Sequence, residues 1–258
     1  KNYFFKMSKY QDELIAHIEK NPTFIAPESK RNEVLGFLKK PLQDLCISRP
    51  KARMSWGIEM PFNKDYVTYV WFDALLNYAV GVGFKVPGGE AEFQKWWTTC
   101  GATHLIGKDI LTTHAVYWTT MLMGLRAPLP KQIFAHGWWL TESNEKMSKS
   151  KGAVVKPLDM KDMVGVDGLR YFLTRDIHLG NDAQFSQDLV IARVNTDLAN
   201  NFGNLLSRST NLIEKFFGGA VPDIKFVMPA SLALAKQAEA LPEVVRAEVM
   251  AMAPNRAI

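Results

Sequence analysis

Ala102-Thr103-His104-Leu105-Ile106-Gly107 decides the fold class. A short apolar run with β-branched residues, ending on glycine, reads as a buried strand. Residues 109–123 continue as a helix with Ile110, Leu111, Val116, Tyr117 and Trp118 at apolar positions and Gly124 as its stop. Ile133-Phe134-Ala135-His136-Gly137 is the next strand. Upstream, Val67-Thr68-Tyr69-Val70-Trp71-Phe72 reads as another buried strand, and residues 73–82 as a helix ending near Gly83. Strand, helix, strand, helix, strand at these lengths predicts right-handed crossovers and an α/β fold with a parallel sheet. Ligands of such sheets sit beyond the carboxyl ends of the strands. Residues 71–73, 107–109 and 136–139 are therefore expected on one rim.

The flanks differ in texture. Residues 1–60 mix helical stretches with turn signals at Asn21-Pro22, Ala26-Pro27, Lys40-Pro41 and Arg49-Pro50, and no chemistry stands out there. Residues 8–20 read as an amphipathic helix on Leu14, Ile15 and Ile18, and residues 32–40 as a second on Val34, Leu35 and Leu38. Residues 141–157 form a polar loop rich in lysine and serine. From Ser186, a plausible N-cap, to Phe217 one long helix is expected, with Ile191, Val194, Leu198, Phe202, Leu205, Leu212 and Phe216 as its apolar stripe and Gly218-Gly219 as its stop. Two further helices, residues 231–240 and 242–252, complete an α-helical end. The chain opens on Lys1 and closes on Pro254-Asn255-Arg256-Ala257-Ile258, which reads as a piece of a longer polypeptide.

Composition bounds the function. The 258 residues carry 31 Lys+Arg and 26 Asp+Glu, a net charge of +5, with 47% hydrophobic residues. That is a globular balance, not a disordered one, and the mild basic excess permits an anionic partner without demanding one. No apolar run reaches the roughly 20 residues of a membrane span, so no membrane partner is expected. Two cysteines, Cys46 and Cys100, make neither a disulfide framework nor a cysteine zinc site; zinc is not supported by this chain, and no metal ligand set is assigned.

Three groups of residues carry candidate chemistry. Lys146 and Lys149 lie in the hydroxyl-rich loop Lys146-Met147-Ser148-Lys149-Ser150, tipped by Gly152. Lysine meets phosphate as a mobile point charge, so such a loop suits a triphosphate; on charge alone, a solvated surface loop is the competing reading. Trp71 by spacing is a core tryptophan, and His114, on an otherwise apolar helix, a satisfied core histidine. Asn204 and Arg208, four apart on the polar face of the long helix, can reach one partner, with a solvated helix face as the alternative.

The order of the motifs adds to this. Lys146-Met147-Ser148-Lys149-Ser150 matches the KMSKS signature of class I aminoacyl-tRNA synthetases. Tyr69-Val70-Trp71-Phe72-Asp73-Ala74-Leu75-Leu76-Asn77-Tyr78, His104-Leu105-Ile106-Gly107-Lys108-Asp109-Ile110, His136-Gly137-Trp138-Trp139 and Asp167-Gly168-Leu169-Arg170-Tyr171-Phe172-Leu173 closely resemble the methionyl-tRNA synthetase family, over nearly the whole chain. The resemblance implies the second half of a Rossmann-like parallel-sheet catalytic domain followed by an α-helical anticodon-binding bundle. It divides the chain into a remnant of the connecting region (1–60), the catalytic half (61–140), the KMSKS loop and stem-contact region (141–185) and an incomplete anticodon-binding domain (186–258). It implies ATP with Mg²⁺, L-methionine and tRNA(Met) as partners, in the cytoplasm.

Carried over by position, the resemblance makes Trp71, Ala74, Tyr78, Ile110 and His114 the methionine pocket, where an unbranched thioether is recognised by shape and by sulfur–aromatic contact. Gly107 and Asp109 become ribose-side contacts for ATP, although Asp109 also stands where a helix cap would. His136, Gly137, Trp138 and Trp139 become the adenine-facing segment, partly through backbone groups. Lys146, Met147, Ser148 and Lys149 meet the phosphates, with Lys149 the more direct contact, and Asn204 and Arg208 read anticodon bases.

One departure is large. The other half of the class I signature, a His-x-Gly-His string, does not occur in this sequence, so the chain alone is expected to be inactive. Thr119 stands where a proline is frequent, and Leu75 is an unspecific apolar variant. Other class I synthetases, and a non-catalytic tRNA-binding relative, are the competing readings.

Overall fold

A computed structural model describes residues 1–147, 156–223 and 228–258. It contains α-helices and a parallel sheet, and divides into two compact units, Lys1–His136 and Gly137–Ile258. Ser148 and Lys149 lie outside the described residues.

In the first unit the parallel sheet has three strands. Gln132–His136 is central, with Thr103–Gly107 on one side and Ile25–Ala26 on the other. The register pairs Gly107 with His136, so two of the expected rim segments end side by side. The third does not belong to this sheet. The strand there is Asn63–Thr68, the middle of a separate antiparallel sheet between Ser48–Pro50 and Glu59–Met60. The chain then turns into a short helix, Val70–Ala74, followed by Leu76–Val80. Residues 67–72 are a β-branched and aromatic run without alternation, whose period cannot separate a buried strand from a strand end running into a helix.

Between the two long strands the chain forms a 3₁₀ turn at Lys108–Ile110, a wider π-type stretch at Thr113–Trp118 and a regular helix at Thr119–Leu125. Gly124 does not end it. Arg126 does, in the left-handed region at φ 54°, with the Ala127 N–H donating to the Leu122 carbonyl at 3.0 Å. Gly124 is small for packing: a Cβ there would lie 3.1 Å from the Phe5 ring. Two apolar cores fill this unit. One, built on Leu14, Ile18, Val34, Leu38 and Ile133, joins the N-terminal helices Gln11–Lys20 and Glu28–Leu38 to the sheet. The other gathers Leu75, Phe93, Trp97, Trp118 and Leu122.

In the second unit, Trp139–Leu140 pairs in parallel with Ala183–Gln184. Helix Pro157–Arg175, broken at Gly165 (φ 77°), packs against residues 187–203 and the turn Pro254–Arg256. Met160, Phe172, Phe185 and Val190 form its core. Gly137 is squeezed against the crossing chain: a Cβ there would overlap the Asn181 carbonyl. The long helix starts as expected, the Ser186 hydroxyl accepting from the Leu189 N–H at 3.3 Å, and ends at Gly218 with φ 61°. Its apolar stripe is half-buried as far as Leu198, then stands exposed at Phe202, Leu205, Leu212 and Phe216. Pro242 does not divide the last helix, which runs unbroken over Pro229–Met250. No helix among the described residues is long and apolar enough to cross a membrane.

Gly137→Ala is expected to lower stability by about 2 kcal/mol or more, since the colliding atoms are backbone and cannot rotate away. Gly36→Ala, where an added Cβ meets nothing within 4 Å inside helix Glu28–Leu38, is expected to raise it by about 0.5–1 kcal/mol. Urea unfolding of the two variants beside the parent checks both signs.

Candidate active site

The expected pocket residues of the first unit converge. Helix Val70–Ala74 carries Trp71, and helix Leu76–Val80 carries Tyr78. The π-type stretch carries His114, fully buried. The Tyr78 hydroxyl lies 3.0 Å from His114 Nε2, and His114 Nδ1 lies 2.9 Å from the Ile110 carbonyl. The Trp71 and His114 rings meet edge to face at 6.4 Å between centroids. Burial pushes the His114 pKa below the ordinary histidine value, against a smaller opposing pull from the Ile110 carbonyl. Ile110 is half-buried, and Ala74, at the end of the Trp71 helix, is exposed. Trp71 and Tyr78 are only partly covered, Tyr78 being 42% exposed, so two aromatic rings face outward with the buried imidazole behind them.

Gly107 ends its strand under the Asp109 carboxylate, whose Oδ1 would lie 2.6 Å from a Cβ at that position, and beside the His136 ring, whose Cε1 would lie at 3.9 Å. Any side chain at 107 would displace the carboxylate, so the glycine is needed for close approach. Gly107, Asp109 and His136 thus occupy one edge of the sheet.

The second unit holds the remaining expected residues. The Trp138 N–H donates to Asp182 Oδ1 at 2.9 Å. Trp139 stacks on Phe172 at 5.8 Å and meets Phe185 edge-on, so its ring serves the core. A tight turn, with the Thr141 N–H donating to the Glu145 carbonyl at 2.9 Å and Asn144 at φ 60°, brings Lys146 back beside Leu140. The Lys146 ammonium lies 3.9 Å from the centroid of the Trp138 ring. Met147 packs on the Met160–Phe172 core. On the long helix, Asn204 and Arg208 are both exposed, and Asn204 Nδ2 donates to the Asn200 carbonyl at 2.7 Å. Among the described residues, no group of three or more His, Cys, Asp and Glu is placed to hold a metal ion.

Residues 1–210 match the family described as tRNA synthetases class I (M). The chain belongs to this family.

This class I synthetase chain is 48% identical over 228 residues to the methionine–tRNA ligase of Fusobacterium nucleatum, covering 88% of itself and 35% of that protein. It is 45% identical over 256 residues to the one from Mycobacterium leprae, covering 99% of itself and 47% of that protein. A crystal structure of Mycobacterium tuberculosis methionyl-tRNA synthetase bound by methionyl-adenylate superposes with a TM-score of 0.88 at 44% identity, over 99% of this chain and 49% of that one. The chain therefore spans between about a third and a half of the length of these relatives.

Two features of this synthetase-family chain went unread in the sequence, one beside the candidate pocket and one apart from it. His104, 6% exposed, accepts from the fully buried Trp118 indole N–H at 3.1 Å, and its ring lies 4.5 Å from that of Tyr78. The alternation of strand Thr103–Gly107 (exposed, buried, exposed, buried) puts it inward, which was the available signal. Arg49, in the stretch where no chemistry stood out, lies 4.4 Å over the Tyr69 ring and lines a cleft of about 390 Å³ with Trp56, Val70 and Asp73.

Burial, with His114 as a smaller cause, pushes the His104 pKa down to about 4 from 6.5. The unfolded chain thus takes up this proton first as the solution is acidified. Stability is expected to be full above pH 6.5 and to fall as pH drops towards 4, by about 1.4 kcal/mol per pH unit for this one group. Urea unfolding midpoints across that window measure it, and a flat profile would contradict a buried neutral imidazole.

Proposed function

We propose that this chain serves in the activation of L-methionine by ATP to methionyl-adenylate, and in transfer of the methionyl group to the 3′-terminal ribose of tRNA(Met) in the cytoplasm. The observation that carries this reading is the Trp71–Tyr78–His114 wall, with its hydrogen bond to Ile110, in a chain of the class I (M) family. A thioether is polarisable, unbranched and a poor hydrogen-bond acceptor. It is recognised by aromatic rings and by a neutral imidazole held in one tautomer, better than by any charge. Ala74 and Ile110 complete the outline by shape.

In the reaction, a methionine carboxylate oxygen attacks the α-phosphorus, an O–P bond forms, and the bond to the β-phosphate oxygen breaks to release pyrophosphate. Gly107 and Asp109 take the ribose side: the glycine permits approach to the backbone, and the carboxylate accepts from hydroxyls. His136, Gly137, Trp138 and Trp139 take the adenine side partly through backbone groups, Trp139 with its ring kept in the core. Lys146 and Lys149, with Met147 and Ser148, meet the triphosphate. Their ammonium groups are worth most where negative charge grows on the departing pyrophosphate, so they act on rate more than on affinity. Mg²⁺ enters with the triphosphate as part of the substrate. The second half of a Rossmann-like catalytic domain is assigned to residues 61–140 and an incomplete set of anticodon-reading helices to residues 186–258, where Asn204 and Arg208 bond to unpaired bases.

Two experiments on the full-length enzyme test this reading. Lys149→Ala is expected to depress methionine-dependent pyrophosphate exchange by about 10²–10³ while leaving methionine affinity nearly unchanged; an unaltered exchange rate would refute the role. Arg208→Ala is expected to harm tRNA charging and spare pyrophosphate exchange, and equal loss of both activities would count against an anticodon contact.

A further inference from the structure

We propose that His104 is a positioning residue for the thioether pocket: its Nε2 holds the Trp118 indole, and its ring backs Tyr78 so that the Tyr78–His114 pair keeps its orientation. This rests on the reading of Trp71, Tyr78, Ile110 and His114 as the methionine site.

The argument is one of forced partners. Trp118 is fully buried and has one donor, Nε1–H. A buried donor without an acceptor is costly, and the acceptor here is His104 Nε2 at 3.1 Å. To accept at Nε2, the imidazole must be neutral with its proton on Nδ1. His114 is fixed in the same tautomer by a different partner, since the Ile110 carbonyl can only accept and so claims the proton of Nδ1. Its Nε2 then accepts from the Tyr78 hydroxyl. Two neutral imidazoles of one tautomer therefore stand 5.9 Å apart, and the Tyr78 ring packs beside both and beside Trp118, at 4.5 Å from His104, 5.6 Å from His114 and 6.3 Å from Trp118. Trp97 closes the far side, 5.8 Å from His104 and 6.1 Å from Trp118, its own indole N–H donating to the Pro128 carbonyl at 2.9 Å.

Tyr78 is thus held at two places: its hydroxyl by His114 and its ring by His104. The first contact alone leaves the ring free to swing about the oxygen, and the second removes that freedom. His104 reaches no outward face of the pocket, being 6% exposed; its effect passes through Tyr78 and Trp118.

The test uses the full-length enzyme. His104→Leu keeps an apolar side chain of similar size and removes the acceptor. It is expected to raise the KM for methionine about tenfold, because a Tyr78 ring no longer held in place must be ordered by the ligand, while leaving kcat within about threefold and the KM for ATP within about twofold. His104→Gln returns an acceptor oxygen and is expected to restore the methionine KM to within about threefold of the parent. A purely structural role would lower thermal stability and leave the methionine KM where it was, and that result overturns the proposal. So does a His104→Gln variant no better than His104→Leu. If neither variant folds, the ¹⁵N spectrum of the histidine rings in the unmutated chain decides: His104 protonated on Nδ1 at neutral pH supports the proposal, and protonation on Nε2 overturns it. Failure of the underlying reading looks different, because then the parent enzyme itself shows no methionine-dependent pyrophosphate exchange.

Discussion

The pocket depends on the hydrogen bond from His114 Nδ1 to the Ile110 carbonyl. A carbonyl cannot donate, so this contact settles which nitrogen bears the proton, and Nε2 is left as a lone pair for Tyr78. The backbone makes room for it. Between residues 113 and 118 the helix widens to a π-type turn, and two threonine hydroxyls bond to its carbonyls: Thr119 Oγ1 donates to the His114 carbonyl at 3.2 Å, and Thr120 Oγ1 to the Val116 carbonyl at 2.8 Å. Thr119 therefore has a structural use here.

The same constraint explains the electrostatics. Both buried imidazoles have pKa values pushed below the ordinary range, chiefly by burial. A charged ring would need an anionic partner, and the groups that touch these two are π faces, an indole N–H, the Tyr78 hydroxyl and the Ile110 carbonyl, none of them anionic. Neutral rings also suit the ligand proposed for the site. A thioether cannot stabilise a cation as a carboxylate would, so charging either histidine would cost binding as well as folding.

The sequence was most legible where geometry is local. Thr103–Gly107 and Gln132–His136 are short apolar runs ended by turn chemistry, and their pairing put Gly107 beside His136. Ser186 as an N-cap and Gly218 in the left-handed region are one-residue decisions that need no distant partner. What was not legible is non-local. The need for glycine at 137 comes from Asn181, and the Trp138 N–H finds Asp182 across 44 residues. The strand that flanks Gln132–His136 on its second side, Ile25–Ala26, is two residues long and carries no periodic signal. Gly124 and Pro242 look like stops because such residues usually are, yet one is small to admit Phe5 and the other sits inside an unbroken helix. In the site, Trp71, Tyr78 and His114 could be matched by motif, whereas His104 becomes informative only once Trp118 is seen to have its N–H pointing at it.

The lysine segment shows how a mobile charge can be kept ready at little cost. Met147 is anchored in an apolar core and the turn before it is pinned by backbone bonds, so the base of the segment is fixed while the Lys146 side chain stays exposed. Its ammonium rests over the Trp138 ring, a contact worth about 0.5–1 kcal/mol at an exposed site. A hydrogen bond from an ammonium to a phosphate oxygen is worth about 1.5–3 kcal/mol. The ring contact by itself is therefore weaker than the bond a polyanion would offer. An amine already confined gives up less rotamer freedom when it engages than one drawn from bulk solvent. In the role proposed for Lys146 that saving would recur at each engagement, which suits a contact made and broken once per turnover.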